Sequence, residues 1–254
     1  VINLYNNNFN NSSNKVLNYS DSFISPSKAA KEVLLNNYNI DKSKVHVCYG
    51  TINDKLPPKE DLSGIRKHLN INDRAFIVGA CGTIGWRKGS DLFLRVANNL
   101  KKEKDIYFLW VGVNNNDINY QQFIYEAKKY GILKNLITIP KTNQVNKYFQ
   151  LMSVFLMTSR EDPFPLVNLE AAISSVPIIC FEKSGGSPEI IDDSSGFVVP
   201  YGDTQEMSSI ILEVKKSPKK LSELSKGIYK KNKTFNNKKS LEKIFKIVIT
   251  DYSP

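Results

Sequence analysis

Residues 154–171 read VFLMTSREDPFPLVNLEA. The run Val154–Thr158 has the length and composition of a buried strand. A proline-stiffened loop follows it and leads the chain into a helix that starts near Leu166. A buried strand that passes through a short loop into a helix is the unit from which a parallel sheet covered by helices is built. This stretch therefore favours an α/β fold.

Similar units lie on both sides of this segment. The sequence predicts further strands at Phe23–Ser25, Val45–Tyr49, Ala75–Ala80, Ile106–Val111, Leu136–Ile139, Pro177–Phe181 and Phe197–Val199. It predicts helices from Ser27 to Asn37 and at Asp91–Leu100, Gln121–Tyr130 and Asn168–Ser174. A short helix is predicted at Ser187-Pro188, with Ser187 as its cap and Pro188 as its first residue. Another helix is predicted to begin at the capping box Asp203–Glu206. The alternation predicts a parallel sheet with helices on both faces.

The proline pair Pro57-Pro58 lies in a polar stretch and is the best candidate for a domain boundary. It divides the chain into residues 1–57 and residues 58–254. The opening Val1–Asn14 is rich in Asn and lacks the basic start and apolar centre of a signal peptide, so we expect the edge of a longer polypeptide. No apolar run in the sequence approaches the ~18 residues of a membrane-spanning helix.

The chain has 35 Lys and Arg against 25 Asp and Glu, a formal net charge of +10. Much of this excess lies after Lys215, where lysines are frequent and Arg is absent. Because Arg is the usual reader of base edges, a sequence-specific nucleic-acid surface is disfavoured. A solvated helical face is the favoured interpretation of the lysines, and loose contact with an anionic membrane is the alternative.

A glycine-rich loop, Cys81–Gly89, follows one predicted strand and precedes a helix. At the carboxyl end of a parallel strand, Gly82 and Gly85 would let a ligand approach the backbone closely. Arg87 and Lys88 would place positive charge where a phosphate could lie. The loop matches neither the dinucleotide-binding nor the Walker A pattern, and a plain glycine turn with solvated cations stays open as an interpretation.

The loop of residues 159–165 and the helix after it form a second candidate segment. The first amides of that helix, at Leu166 and Val167, have no partners within the helix and favour an anion. Glu170 lies within the first turns, where its carboxylate could accept hydrogen bonds from two vicinal hydroxyls, and Asp162 is expected at the mouth of the cleft. A dipole-compensating role for Glu170 and a turn-forming role for Asp162 are the alternatives.

A third segment, Glu182–Glu189, is again a strand end, a flexible turn and a helix start. Taken alone, it is most simply a turn. The carboxyl ends of parallel strands meet at one edge of the sheet, which is where ligands bind in this architecture. The convergence of three such loops predicts a ligand site there.

Taken together, these segments resemble the donor-binding half of family 4 (group 1) glycosyltransferases. Ser159–Ala171 matches the family's pattern of two acidic residues separated by seven others, and Trp86–Leu92 matches its glycine-loop segment. Gly185–Glu189 and Gly196–Pro200 follow at the family's spacing. The likeness is specific from about Phe76 to Asp203.

The resemblance implies a GT-B enzyme with two facing Rossmann-like domains. Residues 58–254 would be the C-terminal, nucleotide-sugar-binding domain, and residues 1–57 would be a remnant of the N-terminal, acceptor-side domain. The implied reaction is transfer of a hexosyl group, with retention, from a UDP- or GDP-linked sugar. This chain would be mainly the donor-binding part and inactive alone. The nucleotide sugar is the substrate, and no metal or other cofactor is expected.

The resemblance also implies roles for single residues. Lys88, Arg87 and the amides of Leu166 and Val167 would stabilise the departing diphosphate, and Glu170 would hold the ribose hydroxyls. Asp162 and Phe164 would border the sugar. The remaining residues expected to line the donor site are Gly82, Thr83, Gly85 and Pro165.

Departures from the family pattern are visible at several positions. Asp162 stands where the family has the first Glu of the acidic pair, and the neighbouring Glu161 is the alternative for that position. Thr83 stands where many members have an Arg, and Arg87 would supply that positive charge instead. Ser175 and Ser153 replace a usual Gly and Asp. These departures leave the donor site in place and bear on efficiency and sugar identity.

The sequence names neither the base, the sugar nor the acceptor, which is a glycan, a lipid-linked molecule or a protein. The expected location is cytoplasmic, with contact to a membrane surface through the basic C-terminal segment as an addition. A sugar-nucleotide epimerase of the same architecture and a non-catalytic sugar-nucleotide-binding module stay open as alternatives. Nucleic acid is not an expected partner, because carboxylates in the cleft repel a phosphate backbone.

Overall fold

The computed structural model describes residues 17, 19–52, 58, 60–235 and 237–251. The Asn-rich opening and Pro57 of the predicted boundary lie outside these residues. The division at residues 57 and 58 therefore stays a prediction.

A six-stranded parallel sheet forms the centre of the fold. Its strands, and the two strands of a separate small parallel sheet that precedes them, are β1 (Phe23–Ser25), β2 (Val45–Val47), β3 (Phe76–Cys81), β4 (Ile106–Val113), β5 (Leu136–Pro140), β6 (Val154–Met157), β7 (Ile178–Phe181) and β8 (Gly196–Val199). The order in the large sheet is β5-β4-β3-β6-β7-β8. The order reverses between β3 and β6, and such a switch point is where an open α/β sheet forms a crevice.

Helices connect the strands and cover the sheet. They are α1 (Lys28–Asn37), α2 (Leu62–His68), α3 (Ser90–Asn99), α4 (Ile118–Tyr130), α5 (Val145–Phe149), α6 (Leu166–Ile173), α7 (Thr204–Lys216), α8 (Pro218–Asn232) and α9 (Asn237–Asp251). Two apolar cores lie on opposite faces of the sheet, one with α3, α4 and α7 and the other with α5 and α6. Val78 belongs to the first core and Ile77 to the second, since successive strand residues point to opposite faces. The predicted α/β class is confirmed.

Two predicted helix caps have different outcomes. Asp203 caps α7, because its Oδ1 accepts hydrogen bonds from the backbone N–H of Gln205 at 3.0 Å and of Glu206 at 2.9 Å. The predicted cap at Ser187 is wrong. The short 3₁₀ turn there is Ser187–Glu189, with Gly186 in the cap position and Ser187 inside the turn. The glycine fits because a Cβ at Gly186 would crowd the Pro163 carbonyl oxygen, at 2.5 Å.

Glu189 attaches the small sheet to the large one. Its carboxylate accepts hydrogen bonds from the backbone N–H of Lys28 at 3.0 Å and of Ala29 at 2.9 Å, so it caps the amino end of α1. The Tyr49 hydroxyl donates a third hydrogen bond, at 2.9 Å. Burial, together with the neighbouring Glu189 carboxylate, raises the pKa of Tyr49 to about 12. The loop after β7 therefore joins residues 20–52 to the main fold through hydrogen bonds. Lys243 of α9 adds a further one, from its Nζ to the Val47 carbonyl oxygen at 2.8 Å.

The lysine-rich segment folds into the last three helices. Several of its lysines form ion pairs: Lys215 with Asp105 at 2.8 Å, Lys220 with Glu213 at 2.6 Å and Lys231 with Asp192 at 2.9 Å. The favoured interpretation as a helical face therefore agrees with the structure. No helix in the described part of the chain combines the length and apolar character that crossing a membrane requires.

Candidate functional site

The glycine-rich loop after β3 makes a tight turn into α3. Residues Trp86–Lys88 form one 3₁₀ turn, and Gly89 follows with a left-handed backbone, at φ 63°. A Cβ on Gly89 would overlap the carbonyl oxygen of Thr158, at the end of β6. Glycine is required here for both reasons, and it lets the loops after β3 and β6 lie side by side.

Asp162 brings the two cations of this loop together. Its Oδ2 lies 2.6 Å from Lys88 Nζ and 3.3 Å from Arg87 Nη1. Arg87 Nη1 also donates to the carbonyl oxygen of Glu161, at 3.0 Å. Asp162 is buried, not placed at an open cleft mouth as expected, because both cations and the neighbouring loop enclose it. Since two cations share one carboxylate, this cluster keeps an excess positive charge.

The backbone of Asp162 also joins the third loop. Its N–H donates to the Ser184 carbonyl oxygen at 2.8 Å, and its own carbonyl accepts from the Gly186 N–H at 3.0 Å. Gly185 lies between them at φ 110°, and a Cβ there would overlap the Asp162 carbonyl. The predicted convergence of three loops is thus present, with Asp162 as the residue that contacts all of them.

Helix α6 begins at Leu166, with Pro165 in the cap position. This is the start predicted from the loop before the helix, and it lies two residues before Asn168, the first residue of the predicted helix Asn168–Ser174. Pro165 forms no side-chain cap for the first amides, so the helix start keeps its free donors. Leu166 is exposed at this helix start, and Val167 is half-buried. The helix start therefore retains the amide donors that the sequence predicted for an anion.

Glu170 lies one turn into α6 and is half-buried. Burial raises the pKa of its carboxyl above the ordinary 4.5. The pKa of the Cys81 thiol at the end of β3 rises to about 12, first through burial and then through the charge of Glu170, while Lys88 opposes the rise. Glu170 and Lys88 therefore both lie near the end of β3, and the sheet edge collects carboxylate and ammonium groups at the switch point.

The other predicted donor-site residues differ in exposure. Thr83 is exposed in the glycine loop, and Gly82 packs under the Lys88 side chain, whose Cε would lie 3.4 Å from a Cβ at this position. Phe164 is buried, with its ring 5.4 Å from that of Tyr49 and 5.8 Å from that of Phe235. Its aromatic contacts therefore fix the loop before α6 against residues 20–52.

Sequence reasoning missed Arg160. Its Nη1 and Nη2 each donate to one carboxylate oxygen of Asp91 at 2.7 Å, and Nη1 also donates to the Trp86 carbonyl at 2.7 Å. Burial alone would raise the pKa of Asp91, but the hydrogen bonds and charge of Arg160 outweigh it and lower that pKa. The available signal was one charge of each sign in two neighbouring segments, Arg160 in the loop after β6 and Asp91 in the first turn of α3, and this signal does not determine which charges pair.

Among the residues that the structure covers, no group of three or more His, Cys, Asp and Glu side chains is arranged to hold a metal ion. The charged groups at the site are instead Arg87, Lys88, Asp162 and Glu170. This set can bind a phosphorylated ligand through cations and amides, and it can accept hydrogen bonds from hydroxyl groups.

Two of the curated relatives, a glycosyltransferase and a synthase, each match part of this chain. The O-antigen biosynthesis glycosyltransferase WclY of Escherichia coli is 29% identical over 140 residues, which are 55% of this chain and 38% of that protein. The alpha-galactosylglucosyldiacylglycerol synthase of Streptococcus pneumoniae is 28% identical over 128 residues, 48% of this chain and 33% of the synthase. The match thus spans about a third of the length of each of these curated relatives.

Among solved structures, Anabaena HepE in complex with UDP-glucose superposes with a TM-score of 0.85 at 16% identity. The superposition covers 93% of this chain and 66% of HepE. It shows that the two share the Rossmann-like fold of GT-B glycosyltransferases. The family model described as "Glycosyl transferases group 1" matches residues 63–231, a range that contains the glycine loop, the Asp162 cluster and α6. On that match, the chain belongs to the group 1 glycosyltransferases.

Proposed function

We propose that this chain binds a nucleoside diphosphate sugar, UDP- or GDP-linked, for a glycosyltransferase that transfers a hexosyl group with retention. The observation that carries the proposal is the cluster in which Asp162 holds Lys88 and Arg87 beside the free amides of α6. A diphosphate fits this combination of two cations and a helix start. The proposed contribution of this chain is donor binding.

Lys88 and Arg87 have the central role in the proposed reaction. The bond between the anomeric carbon and the diphosphate oxygen breaks, and its electron pair leaves on the diphosphate. Both cations, with the amides of Leu166 and Val167, stabilise this growing charge. The acceptor hydroxyl bonds to the anomeric carbon on the face that the diphosphate leaves, which retains configuration, and its proton passes to the departing diphosphate oxygen. In this proposal the cations and amides supply the charge stabilisation that a divalent ion supplies elsewhere.

Asp162 has two proposed roles. It orients Lys88 and Arg87 before the ligand arrives, so less free energy is spent on ordering them when it binds. With Phe164 and the glycine loop, it also borders the sugar. Because Asp is one methylene shorter than Glu, its reach toward the sugar is shorter, and this bears on which sugar is accepted.

The acceptor and location are proposed more broadly. One relative bears a name from O-antigen biosynthesis and another is named an alpha-galactosylglucosyldiacylglycerol synthase, so the proposed acceptor is a glycan or a lipid-linked molecule. We place the protein in the cytoplasm. The lysines on α8 and α9 provide a basic surface for contact with an anionic membrane.

Isothermal calorimetry with UDP, GDP, ADP and their sugars tests donor binding. We expect binding of UDP or GDP that weakens as salt is added, because the charges of Lys88 and Arg87 are screened. Absence of heat with every nucleotide, at millimolar concentration and low salt, would remove the proposed function.

Glu170 provides a sharper test of ribose recognition. Glu170→Gln keeps the shape but removes a charge-assisted hydrogen bond of about 1.5–3 kcal/mol, so nucleotide affinity is expected to fall roughly 10- to 100-fold. Since the pKa of Glu170 is raised, wild-type affinity should also decrease as the pH falls toward and through that raised pKa. The Gln variant should lack this pH dependence.

Glu161→Gln is the matched control for that experiment, because Glu161 is a half-buried carboxylate in the loop before α6. Its nucleotide affinity should equal that of the wild type. Unchanged affinity in Glu170→Gln would leave Glu170 as a residue that only compensates the helix dipole. A loss of affinity in Glu161→Gln alone would make Glu161, in place of Asp162, the first acidic residue of the pair and would remove the ribose role of Glu170.

A further inference from the structure

A groove of about 200 Å³ lies between the glycine loop and α4. Its polar lining includes Asp91, Asn119, Gln122 and Glu126, and Trp86 forms part of its wall. None of Arg87, Lys88, Asp162 and Glu170 lines it. Gly85, which the sequence analysis expected at the donor site, does line it. The groove is therefore separate from the charged cluster, although the Trp86 of its wall is directly followed by Arg87 in the chain.

Trp86 is 64% exposed and is nevertheless held in place. The Arg160 guanidinium lies 5.0 Å from the centre of the Trp86 ring and donates to the Trp86 carbonyl at 2.7 Å. Both guanidinium nitrogens of Arg160 are fixed in turn by Asp91. The orientation of the exposed indole is thus set by Arg160, whose ion pair with Asp91 joins the loop after β6 to the first turn of α3. A large apolar ring with little freedom is suited to contact with a ligand.

We propose that this groove binds a pyranose ring of a saccharide. The axial C–H groups of a sugar carry partial positive charge and pack against the electron-rich face of an indole. The amides of Asn119 and Gln122 both donate and accept, and the carboxylate of Glu126 accepts, which suits neighbouring sugar hydroxyls. The volume of about 200 Å³ is below the ~300–1,000 Å³ of drug-sized sites and suits one ring.

The charge of the groove favours a neutral ligand. The Asp91 carboxylate is compensated by Arg160, so the groove keeps the negative charge of Glu126, which disfavours a phosphate. Arg87 and Lys88 favour a phosphate on the other side of the same loop. The groove thus fits an uncharged sugar residue of an acceptor glycan near the place where the donor diphosphate is proposed to bind. This inference rests on the proposed function and narrows the acceptor to a saccharide.

Tryptophan fluorescence reports on the groove directly. The chain has two tryptophans, and Trp110 is 1% exposed, with its indole N–H bonded to the Gly82 carbonyl at 2.8 Å. Quenching by acrylamide should therefore act mainly on Trp86. We expect methyl glucosides, methyl galactosides, N-acetylglucosamine and short oligosaccharides of each to reduce this quenching. If oligosaccharides protect Trp86 more strongly than single sugars do, the bound ligand is an extended glycan. If both protect it equally, the groove binds a single sugar ring.

Ligand-observed NMR titrations of variants complete the test. Trp86→Ala is expected to weaken saccharide binding at least tenfold, and Gln122→Ala to weaken it less. Tyr125→Ala is the matched control, because Tyr125 is an aromatic residue on α4, 63% exposed, that does not line the groove. UDP binding should be unchanged in all three variants.

The outcomes separate this inference from the proposed function. If UDP binds while no saccharide protects Trp86, the groove proposal is overturned and donor binding stands. If UDP itself protects Trp86, the indole belongs to the nucleotide site and the proposal is also wrong. Saccharide protection without UDP binding would support the groove and overturn the donor site.

Discussion

Gly89→Ala is expected to reduce the free energy of unfolding by about 2–5 kcal/mol. The left-handed backbone at φ 63° costs a residue with a Cβ roughly 1–2 kcal/mol. Overlap of that Cβ with the Thr158 carbonyl adds about 1–3 kcal/mol, because Thr158 is 2% exposed and its neighbours leave it little room to move. Because the free energy of unfolding of a typical domain is ~5–15 kcal/mol, the expected loss is a large fraction of the total stability.

Urea denaturation followed by circular dichroism measures this change, and Gly131→Ala is its control. Gly131 has a similar φ of 70°, with no atom within 4 Å of a Cβ. It should therefore lose only the ~1–2 kcal/mol of the backbone term. Equal losses in the two variants would mean that the loops after β3 and β6 are not in close contact.

Lys88→Ala is expected to weaken UDP binding roughly 10- to 100-fold and to leave uridine binding unchanged. Lys88 contributes a charge-assisted contact of about 1.5–3 kcal/mol, and only the diphosphate carries the charge that pairs with it. Its side chain is 16% exposed and already oriented by Asp162 at 2.6 Å, so little ordering is required on binding. Calorimetry with both ligands measures the difference.

Lys183→Ala removes the same charge from the third loop and serves as the control. The Lys183 side chain is 80% exposed and pairs only loosely with Glu182, at 3.5 Å. Exposed pairs of this kind contribute ~0–1 kcal/mol, so UDP affinity should change less than tenfold. Equal weakening of UDP and uridine by Lys88→Ala would instead indicate loss of the fold, and a thermal melt of the variant would show it.

Much of the fold was predictable because its central strands are short apolar runs bounded by Pro, Gly or polar residues. Strand β7, Ile178–Phe181, was predicted within one residue for this reason. Helices α2 and α5 were missed. They have seven and five residues, too few for a periodic pattern, and they depend on tertiary packing such as the full burial of Phe149.

The part of the candidate site that was predictable is the set of residues in the segments that follow parallel strands. Lys88 and Asp162 lie in the loops that follow parallel strands, and sheet topology brings such loops together. Glu170 lies in the first turns of α6, the helix into which the second of these loops leads. The partners of Asp162 and Arg160 were not predictable, because which cation meets which carboxylate depends on side-chain reach between loops about 70 residues apart. Glu189 is the last residue of the motif Gly185–Glu189, and nothing in that motif indicates its contact with α1.

Through the contact of Glu189 with α1, the loop after β7 forms hydrogen bonds with two different parts of the protein. One part of it, Ser184–Gly186, bonds to the backbone of Asp162, and Glu189 caps the amino end of α1. Thermodynamic linkage then applies to the two neighbours of the loop. A ligand that binds at Asp162 and favours the observed loop conformation also stabilises the attachment of residues 20–52. That attachment stabilises ligand binding by the same free energy, because coupling between two sites is reciprocal. Donor occupancy and the alignment of the segment before β3 would accordingly behave as one cooperative property of the protein.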